Sequence, residues 1–413
     1  MLNTAQDVLV HPLAGARAAS PGHIAVTRLR LTDFRNYREV GLVLGGEPVV
    51  LTGANGAGKT NLLEALSFLA PGRGLRGARL AEIDRRRAAA EATAAAGGWA
   101  VAAVIATRRG KVEIGTGRDL GSAAGDPGPG AERRIVRIDG VPAKSQALLG
   151  ERVGVLWLTP AMDRLFVEGP SGRRRFLDRL VLALDPAHAA HVGAYEQALR
   201  ERSRLLRDAL LLNRPADPAW LVALEQVLAE RGVAVAAGRR EVVRVLDRAC
   251  AEGERPFPRG RLTLMGVVEG WLDDMPALAA EAKLAAALAA GRREDAQSGG
   301  AAIGPHRSDL GVAVANGTAT GLASTGEQKA LLISIVLAQA RLRRAIRGEA
   351  PLLLLDEVAA HLDAGRRAAL LAALVELEGQ AWVTGTDAAL FAALRGRARF
   401  LSVAAGALSP TVF

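Results

Sequence analysis

Apolar and polar positions alternate through residues 24–31, where Ile24 and Val26, then Leu29 and Leu31, share a side; this two-residue period predicts a strand. Residues 48–51 (PVVL) form a short apolar run that closes in Thr52 and Gly53, the pattern of a buried strand feeding a turn. The period then changes. Over residues 61–69, Leu62, Leu63, Leu66 and Leu69 fall on one face at helical spacing. Strand, glycine-rich loop and helix therefore follow one another directly. Strand-like stretches recur at 101–105, 111–114 and 134–138, and GSAAGDPGPG at 121–130 reads as a mobile hairpin loop between the last two. From Pro160 to about Gln297 the spacing is mainly helical: Tyr195, Leu199, Leu205 and Leu206 suit one long helix, and Trp220, Leu224, Val227 and Leu228 another. One strand-like run, 261–265, interrupts it. After Gly304 come a strand at 310–314, a long helix at 327–347 stopped by Gly348, a buried strand at 352–355, and strands at 381–384 and 400–403. No internal repeat or extended heptad array is evident.

The fold class this implies is α/β, a head of strands and helices interrupted by a mainly helical insertion. The expected organisation is a disordered leader at 1–23, a first head segment at 24–165, a helical lobe at 166–300 and a second head segment at 301–413.

Composition narrows the partners. The 413 residues are half hydrophobic but only 4% aromatic, so Leu, Val and Ala must fill the core. The formal net charge of +10 favours a polyanionic partner, nucleic acid or an acidic membrane, although an arginine-rich surface alone gives the same balance. A single cysteine, Cys250, excludes an intramolecular disulfide and a cysteine-based zinc site, and fits a reducing compartment. No run approaches the ~20 apolar residues of a membrane span. Residues 1–22 lack the basic start and apolar stretch of a secretory signal.

The chemistry concentrates in three motifs. Gly53-Ala54-Asn55-Gly56-Ala57-Gly58-Lys59-Thr60 fits G-x-x-x-x-G-K-[ST], with the strand and helix that motif requires on either side. Glycines let backbone N–H groups turn toward a polyphosphate, and the helix N-terminus adds a fixed positive pole. Lys59 would reach the β- and γ-phosphates, and the Thr60 hydroxyl would hold Mg²⁺. Leu352-Leu-Leu-Leu-Asp356-Glu357 is a buried strand ending in two acids. Asp356 suits a metal ligand and Glu357 a group that orients or deprotonates attacking water; a bare helix cap is the alternative. Lys59 and Asp356 lie about 300 residues apart, which requires a large insertion in one head. Ser324-Thr-Gly326-Glu327-Gln-Lys329 opens the long helix. It reads either as an anion site at a helix N-terminus or as a capping box of Ser324 with Glu327. His361-Leu-Asp363 and Thr384-Gly-Thr-Asp387 follow, each weak alone.

With these residues in hand the chain resembles the RecF family of the ABC/SMC-like ATPase group. Residues 31–37 (LTDFRNY) are similar to its opening strand and turn. The run 53–66 (GANGAGKTNLLEAL) is similar to its Walker A with the following Asn61 and Glu64, and residues 67–74 (SFLAPGRG) continue the match. Pro160 and 169–178 (GPSGRRRFLD) resemble its inter-lobe segment, 304–309 (GPHRSD) its GPHR-x-D motif, 324–329 its signature, and 384–387 its terminal TGTD. The resemblance implies an ABC-type head, ATP with Mg²⁺ as cofactors, and an ATP-dependent homodimer. In that dimer each ATP lies between Walker A, Asn61 included, of one subunit and Ser324 and Gly326 of the other. It further implies DNA at gaps and junctions, RecR and RecO as partners in recombinase loading, and a cytoplasmic, nucleoid-associated setting.

There are departures. No glutamine stands in residues 155–159 (VLWLT), where ABC heads carry one, and the switch position near Thr386 lacks histidine. Both suit slow hydrolysis. For DNA contact the basic clusters Arg73, Arg76, Arg79 and Arg173, Arg174, Arg175 are candidates; the alternatives are a solvated face or, for the second cluster, inter-lobe ion pairs. His306 and Arg307 either link the insertion to the nucleotide site or form a self-satisfied turn. Two competing functions remain open: a transporter's ATP-binding subunit, disfavoured by STGEQK and the long insertion, and a scaffold that uses ATP only as glue.

Overall fold

The computed structural model describes residues 23–85, 98–119, 133–253, 256–315, 317–360 and 362–411. The expected leader, apart from His23, lies outside these residues, as do the 121–130 hairpin and His361.

The strands are β1 (Ala25–Phe34), β2 (Tyr37–Val43), β3 (Val49–Thr52), β4 (Ala100–Thr107), β5 (Gly110–Asp119), β6 (Arg133–Ile138), β7 (Val141–Pro142) and β8 (Val155–Leu158), then β9 (Gly260–Met265), β10 (Asp309–Val314), β11 (Leu352–Leu355), β12 (Ala381–Gly385), β13 (Arg399–Ala404) and β14 (Ala407–Pro410). The helices are α1 (Lys59–Ser67), α2 (Leu148–Arg152), α3 (Pro170–Leu184), α4 (His188–Leu211), α5 (Pro218–Ala251), α6 (Val267–Asp274), α7 (Ala277–Ala290), α8 (Arg292–Ser298), α9 (Thr325–Arg347) and α10 (Ala364–Glu376). None is long and apolar enough to cross a membrane among the described residues.

The chain divides into two compact units, Met1–Asp163 with Val336–Phe413, and Arg164–Ile335. The sequence-based boundary differs at one end, because residues 301–335 belong to the helical unit rather than to the second head segment. The reason is strand pairing: β10 runs antiparallel to β9 along its whole length, from Asp309 opposite Met265 to Val314 opposite Gly260.

The first unit holds two six-stranded sheets, ordered β2-β1-β4-β5-β6-β7 and β14-β13-β3-β12-β11-β8. The first is antiparallel throughout. In the second, β13, β3, β12, β11 and β8 are parallel, which explains why β3, β8 and β11 read as continuous apolar runs: both faces are covered. Helix α1 shares one core with both sheets, and Leu62, Leu63, Leu66 and Leu69 are fully buried in it. Each such side chain contributes roughly 1.5–3 kcal/mol on leaving water. Phe34, Phe68 and Trp99 pack edge-on and tilted at 4.8–6.1 Å between centroids, and the Trp99 indole donates to the Leu80 carbonyl at 3.0 Å. Gln380 stitches the sheets together: its Oε1 accepts from the Val26 N–H (2.9 Å) and the Trp382 indole (3.0 Å), and its Nε2 donates to the carbonyls of Val26 and Gly45.

A buried cation closes the far end of α1. Arg134 of β6 donates to the carbonyls of Phe68, Ala70 and Gly72, to Gln146 and to the Thr116 hydroxyl. Positive charge at the carbonyl end of a helix is favourable. Burial pushes the Arg134 pKa down to about 9, which leaves it charged at neutral pH.

In the second unit α5 starts on Pro218 with Asp217 as its N-cap, whose Oδ1 accepts from the N–H groups of Ala219 (2.9 Å) and Trp220 (3.3 Å). Its buried stripe runs through Leu221, Leu224, Leu228 and Ala229. Trp220 and Val227, expected on that face, sit off the stripe at 45% and 36% exposure. The core also buries Arg202, which donates to Glu225 (3.0 Å), Asp295 (2.7 Å) and the Leu288 carbonyl (2.6 Å). Cys250 is buried in α5, and burial pushes its thiol up to about 12, a packing residue rather than a nucleophile.

Candidate nucleotide-binding site

Parallel register places the loop after β3 beside the acids after β11, with β12 between the two strands. The loop is braced from an unexpected direction. Asn36, in the turn between β1 and β2, and Tyr37, the first residue of β2, donate to the carbonyls of Ala57 (3.1 Å) and Gly58 (2.9 Å). Gly58 has φ +120°, and a Cβ there would lie 2.5 Å from the Asn36 amide and 2.8 Å from the Tyr37 hydroxyl. Only glycine fits this position. Asn61 donates to Asn36 Oδ1 at 2.7 Å, so the LTDFRNY segment supports Walker A directly. Burial pushes the Tyr37 phenol above its ordinary pKa, which keeps it a donor.

Lys59 is 4% exposed; its Nζ donates to the carbonyls of Gly53 (2.7 Å) and Ala54 (3.0 Å) and lies 3.8 Å from Glu357 Oε1. The Thr60 hydroxyl lies 3.0 and 2.9 Å from the two oxygens of Asp356. Thr384, at the end of β12, donates to Asp356 Oδ1 at 2.8 Å and accepts from the Glu357 N–H at 2.9 Å. Burial raises the Asp356 pKa, opposed by the hydrogen bonds from Thr384 and Thr60. Glu357 has φ +49°, a left-handed conformation that costs a side-chain-bearing residue on the order of 1 kcal/mol or more. That backbone turn brings its carboxylate back to the Lys59 ammonium.

A cleft of about 290 Å³ opens here, lined by Asn55, Gly56, Gly58, Lys59, Thr60, Asn61, Arg76, Pro160, Asp356 and Glu357. Its wall combines backbone N–H groups, two cations and two carboxylates, a set that suits a polyphosphate carrying a hard divalent cation. Arg76, read from sequence as a DNA candidate, lines this cleft instead: it donates to Asn61 Oδ1 and Glu64 Oε2, both at 2.7 Å. The fully buried Glu64 is also held by the guanidinium of Arg35 through two bonds of 2.8 and 2.7 Å. Arg73 and Arg79 remain exposed.

Of the other candidates, Asp363 and Asp387 fall within the first unit, and Ser324, Gly326, Arg173, Arg174, Arg175, His306 and Arg307 within the helical unit. Ser324 and Glu327 form the capping box: the Ser324 N–H donates to Glu327 Oε2 (3.0 Å) and the Glu327 N–H to Ser324 Oγ (3.3 Å). Gly326 has open space where a Cβ would stand. Arg173 grips Asp309 with two bonds of 2.7 Å, and Arg174 donates to the Ser308 carbonyl at 2.9 Å. Both are internal ties of that unit, which corrects their reading as DNA contacts; Arg175 alone of the three is exposed. His306 and Arg307 form the self-satisfied turn: His306 Nδ1 meets the Tyr195 hydroxyl at 2.6 Å, and Arg307 donates to the Ala301 carbonyl at 3.0 Å. Gly304, at φ +137°, leaves the Tyr195 hydroxyl the room a Cβ would take. Asp363 and Asp387 are N-caps, accepting from the N–H groups of Arg366 and Ala389 (2.8 Å each). Sequence reasoning missed Thr384's link between the two acids and the bracing role of Asn36 and Tyr37. Both sat inside quoted motifs, but no periodicity says which strand end they meet.

A family profile described as "AAA domain, putative AbiEii toxin, Type IV TA system" matches residues 49–85, the span of β3, Walker A and α1. The "DNA replication and repair protein RecF" of Rhizobium rhizogenes is 47% identical over 392 residues, 94% of this chain and 99% of that one. The chain belongs to the RecF family. The RecF fold agrees: a solved structure described as the recombination mediator protein RecF-ATPrS in the RecFOR pathway matches with a TM-score of 0.79 at 20% identity, covering 95% of this chain and 100% of that one. The Smc head domain of Pyrococcus furiosus, solved with an extended coiled coil and bound to the C-terminal domain of ScpA, matches at a TM-score of 0.50 and 16% identity over 94% and 96% of the two chains. The expected ABC-type head with an inserted helical lobe is thus the RecF architecture.

Proposed function

We propose that this chain is an ATP-dependent DNA-binding protein of recombinational gap repair and replication restart, acting with RecR and RecO in recombinase loading in the cytoplasm, at the nucleoid. The observation that carries the ATP half is the union, in one cleft, of Lys59, Thr60, Asp356 and Glu357. Family membership carries the repair half.

The residues fit Mg²⁺: the Thr60 hydroxyl and the Asp356 carboxylate are hard oxygen donors side by side, and a cation there relieves the burial that raises the Asp356 pKa. When bound, Mg²⁺ supplies charge neutralisation on the β- and γ-phosphates. The chain's own groups do the rest. Gly56, Gly58 and Lys59 direct backbone N–H groups and one ammonium at the phosphates, Arg76 and Asn61 close the cleft wall, and Glu357 orients the attacking water and takes its proton. Ser324 and Gly326 would complete the site on a second subunit, making dimerisation ATP-dependent. The absence of glutamine from residues 155–159 favours slow turnover, an ATP-timed switch.

The test is fluorescence anisotropy of gapped and duplex oligonucleotides with and without ATP and Mg²⁺ at two salt concentrations. ATP-enhanced, salt-sensitive binding supports the reading. No binding in either state would separate this head from DNA and return the scaffold alternative.

A further inference from the structure

The outer face of the antiparallel sheet in the first unit plays no part in the nucleotide cleft. Its register can be followed strand by strand. Arg30 of β1 stands opposite Ala102 of β4, Ala102 opposite Gly115 of β5, and Gly115 opposite Arg137 of β6. One row further, Arg28 stands opposite Val104. Arg133 and Arg137 occupy alternate outward positions of β6. Two arginine-bearing strands therefore flank a low floor. A Cβ placed on Gly115 would meet nothing closer than the Arg137 Cβ at 4.0 Å, and Ala100 and Ala102 are exposed, so the floor is open.

Arg28, Arg133 and Arg137 are exposed, and none is held in an ion pair among the described residues. Arg30 is bound to Glu39 at 3.2 Å, and Glu113 and Asp119 of β5 are the other strand acids on the face, Asp119 standing opposite Arg133, against a further cation in Lys111. A protein core or a folded partner would demand that such arginines be paired; phosphates supply that pairing and release counterions. From β1 to β6 is three strand spacings, roughly 14 Å. That separation, widened by two flexible side chains, can serve phosphates on both backbones that border a groove of duplex DNA.

The geometry points to this face as a docking surface for duplex DNA, contacted through its phosphates by Arg28 on one side and by Arg133 and Arg137 on the other. The assignment rests on the DNA-binding reading above and gives it a location that neither arginine cluster singled out in the sequence provides. Duplex is favoured over single strand because the outward positions of β1, β2, β4, β5 and β6 carry no aromatic ring among the described residues, and single-strand grooves stack bases on aromatic side chains. Small residues on the floor let the sugar-phosphate backbone approach the sheet. Phosphate contacts position without reading sequence, so the surface is sequence-neutral.

The experiment uses the full chain with ATP and Mg²⁺ and a fluorescein-labelled duplex, titrated at several salt concentrations. The triple variant Arg28→Ala, Arg133→Ala, Arg137→Ala is compared with Arg200→Ala, Arg204→Ala, Arg207→Ala, which removes the same charge from exposed positions of α4. Binding of a fluorescent ATP analogue confirms that both variants are folded. The sheet variant should bind duplex roughly a hundredfold more weakly at physiological salt, with its log–log salt slope reduced by about 0.9 per arginine, while the α4 variant keeps the wild-type slope. Wild-type affinity and slope in the sheet variant, or an equal loss in the α4 variant, would overturn the surface alone. A wild-type chain that binds no DNA would overturn the DNA reading together with it.

Discussion

The Thr60 hydroxyl lies 3.0 and 2.9 Å from the two carboxylate oxygens of Asp356, a residue 296 positions further along the chain. This contact joins the loop after β3 to the acid strand, and the proposed function would put a divalent cation between them. Thr60→Val keeps the side-chain shape and removes the oxygen. Its hydrolysis rate should fall at least roughly 100-fold, since a catalytic cation supplies several kcal/mol. Binding of a fluorescent ATP analogue in EDTA should be unchanged, whereas the tightening produced by Mg²⁺ should disappear. Equal Mg²⁺ dependence in variant and wild type would remove Thr60 from the metal site.

Glu357 combines a left-handed backbone with a place in the cleft beside Lys59. Glu357→Gln should lower turnover by about 10²–10⁴, the range for a positioned base, while still binding ATP and accumulating dimer in light scattering. Lys59→Met should bind no ATP and stay monomeric. Glu357→Gly relieves the φ of +49° and should melt at a higher temperature, gaining about 1 kcal/mol, while losing hydrolysis. A Glu357→Gln protein that remains monomeric with ATP would sink the assignment.

Arg173 provides a contrast between stability and binding. Its two bonds to Asp309 tie α3 to β10, so Arg173→Ala should destabilise the chain by about 2 kcal/mol in urea unfolding. DNA affinity at a temperature where the variant is folded should match the wild type. A large loss of affinity without a loss of stability would restore the original reading of this cluster.

His306 sets a pH dependence. Burial lowers its pKa below the ordinary 6.5, and the neutral ring accepts from the Tyr195 hydroxyl and donates to the Ala301 carbonyl. A folded-state pKa below the unfolded one means the unfolded chain binds the proton first as pH falls. The stability contributed is complete above about pH 6.5 and is lost on acidification from there down to the depressed folded value. Melting temperatures between pH 8 and 5 should show that loss, and His306→Gln should flatten it. An unchanged slope in the variant would assign the dependence to other groups.

Local pattern made much of this readable. Period-two alternation located β1, apolar runs located β3 and β11, and the G-x-x-x-x-G-K-T spacing put Lys59 and Thr60 at the turn from β3 into α1. What stayed hidden depends on chain segments meeting in space. Arg76 follows the Walker A helix in a stretch that looks like a basic surface, and only the placement of Asn61 and Glu64 turns it toward the cleft. Arg173 and Arg174 look like a phosphate-binding cluster until β10 brings Asp309 and the Ser308 carbonyl to them. Trp220 fitted an apolar stripe by spacing, but α5 turns its buried face through Leu221 and Leu224. The end of the insertion was misplaced for the same reason, since a six-residue strand says nothing of its partner.

The strand order of the parallel sheet fixes a sequence of events during synthesis. β3 is flanked by β12 on one side and β13 on the other, strands that follow it by more than 300 residues. A ribosome-bound chain that has already extruded the phosphate loop therefore still lacks both neighbours of the strand that carries it. The helical unit, closed at Ile335, has all its segments in hand earlier. The antiparallel sheet and the insertion thus have all their strands and helices before the parallel sheet does, and the nucleotide cleft becomes complete only as the last strands leave the tunnel, so a chain truncated before β12 carries the whole motif and no working site.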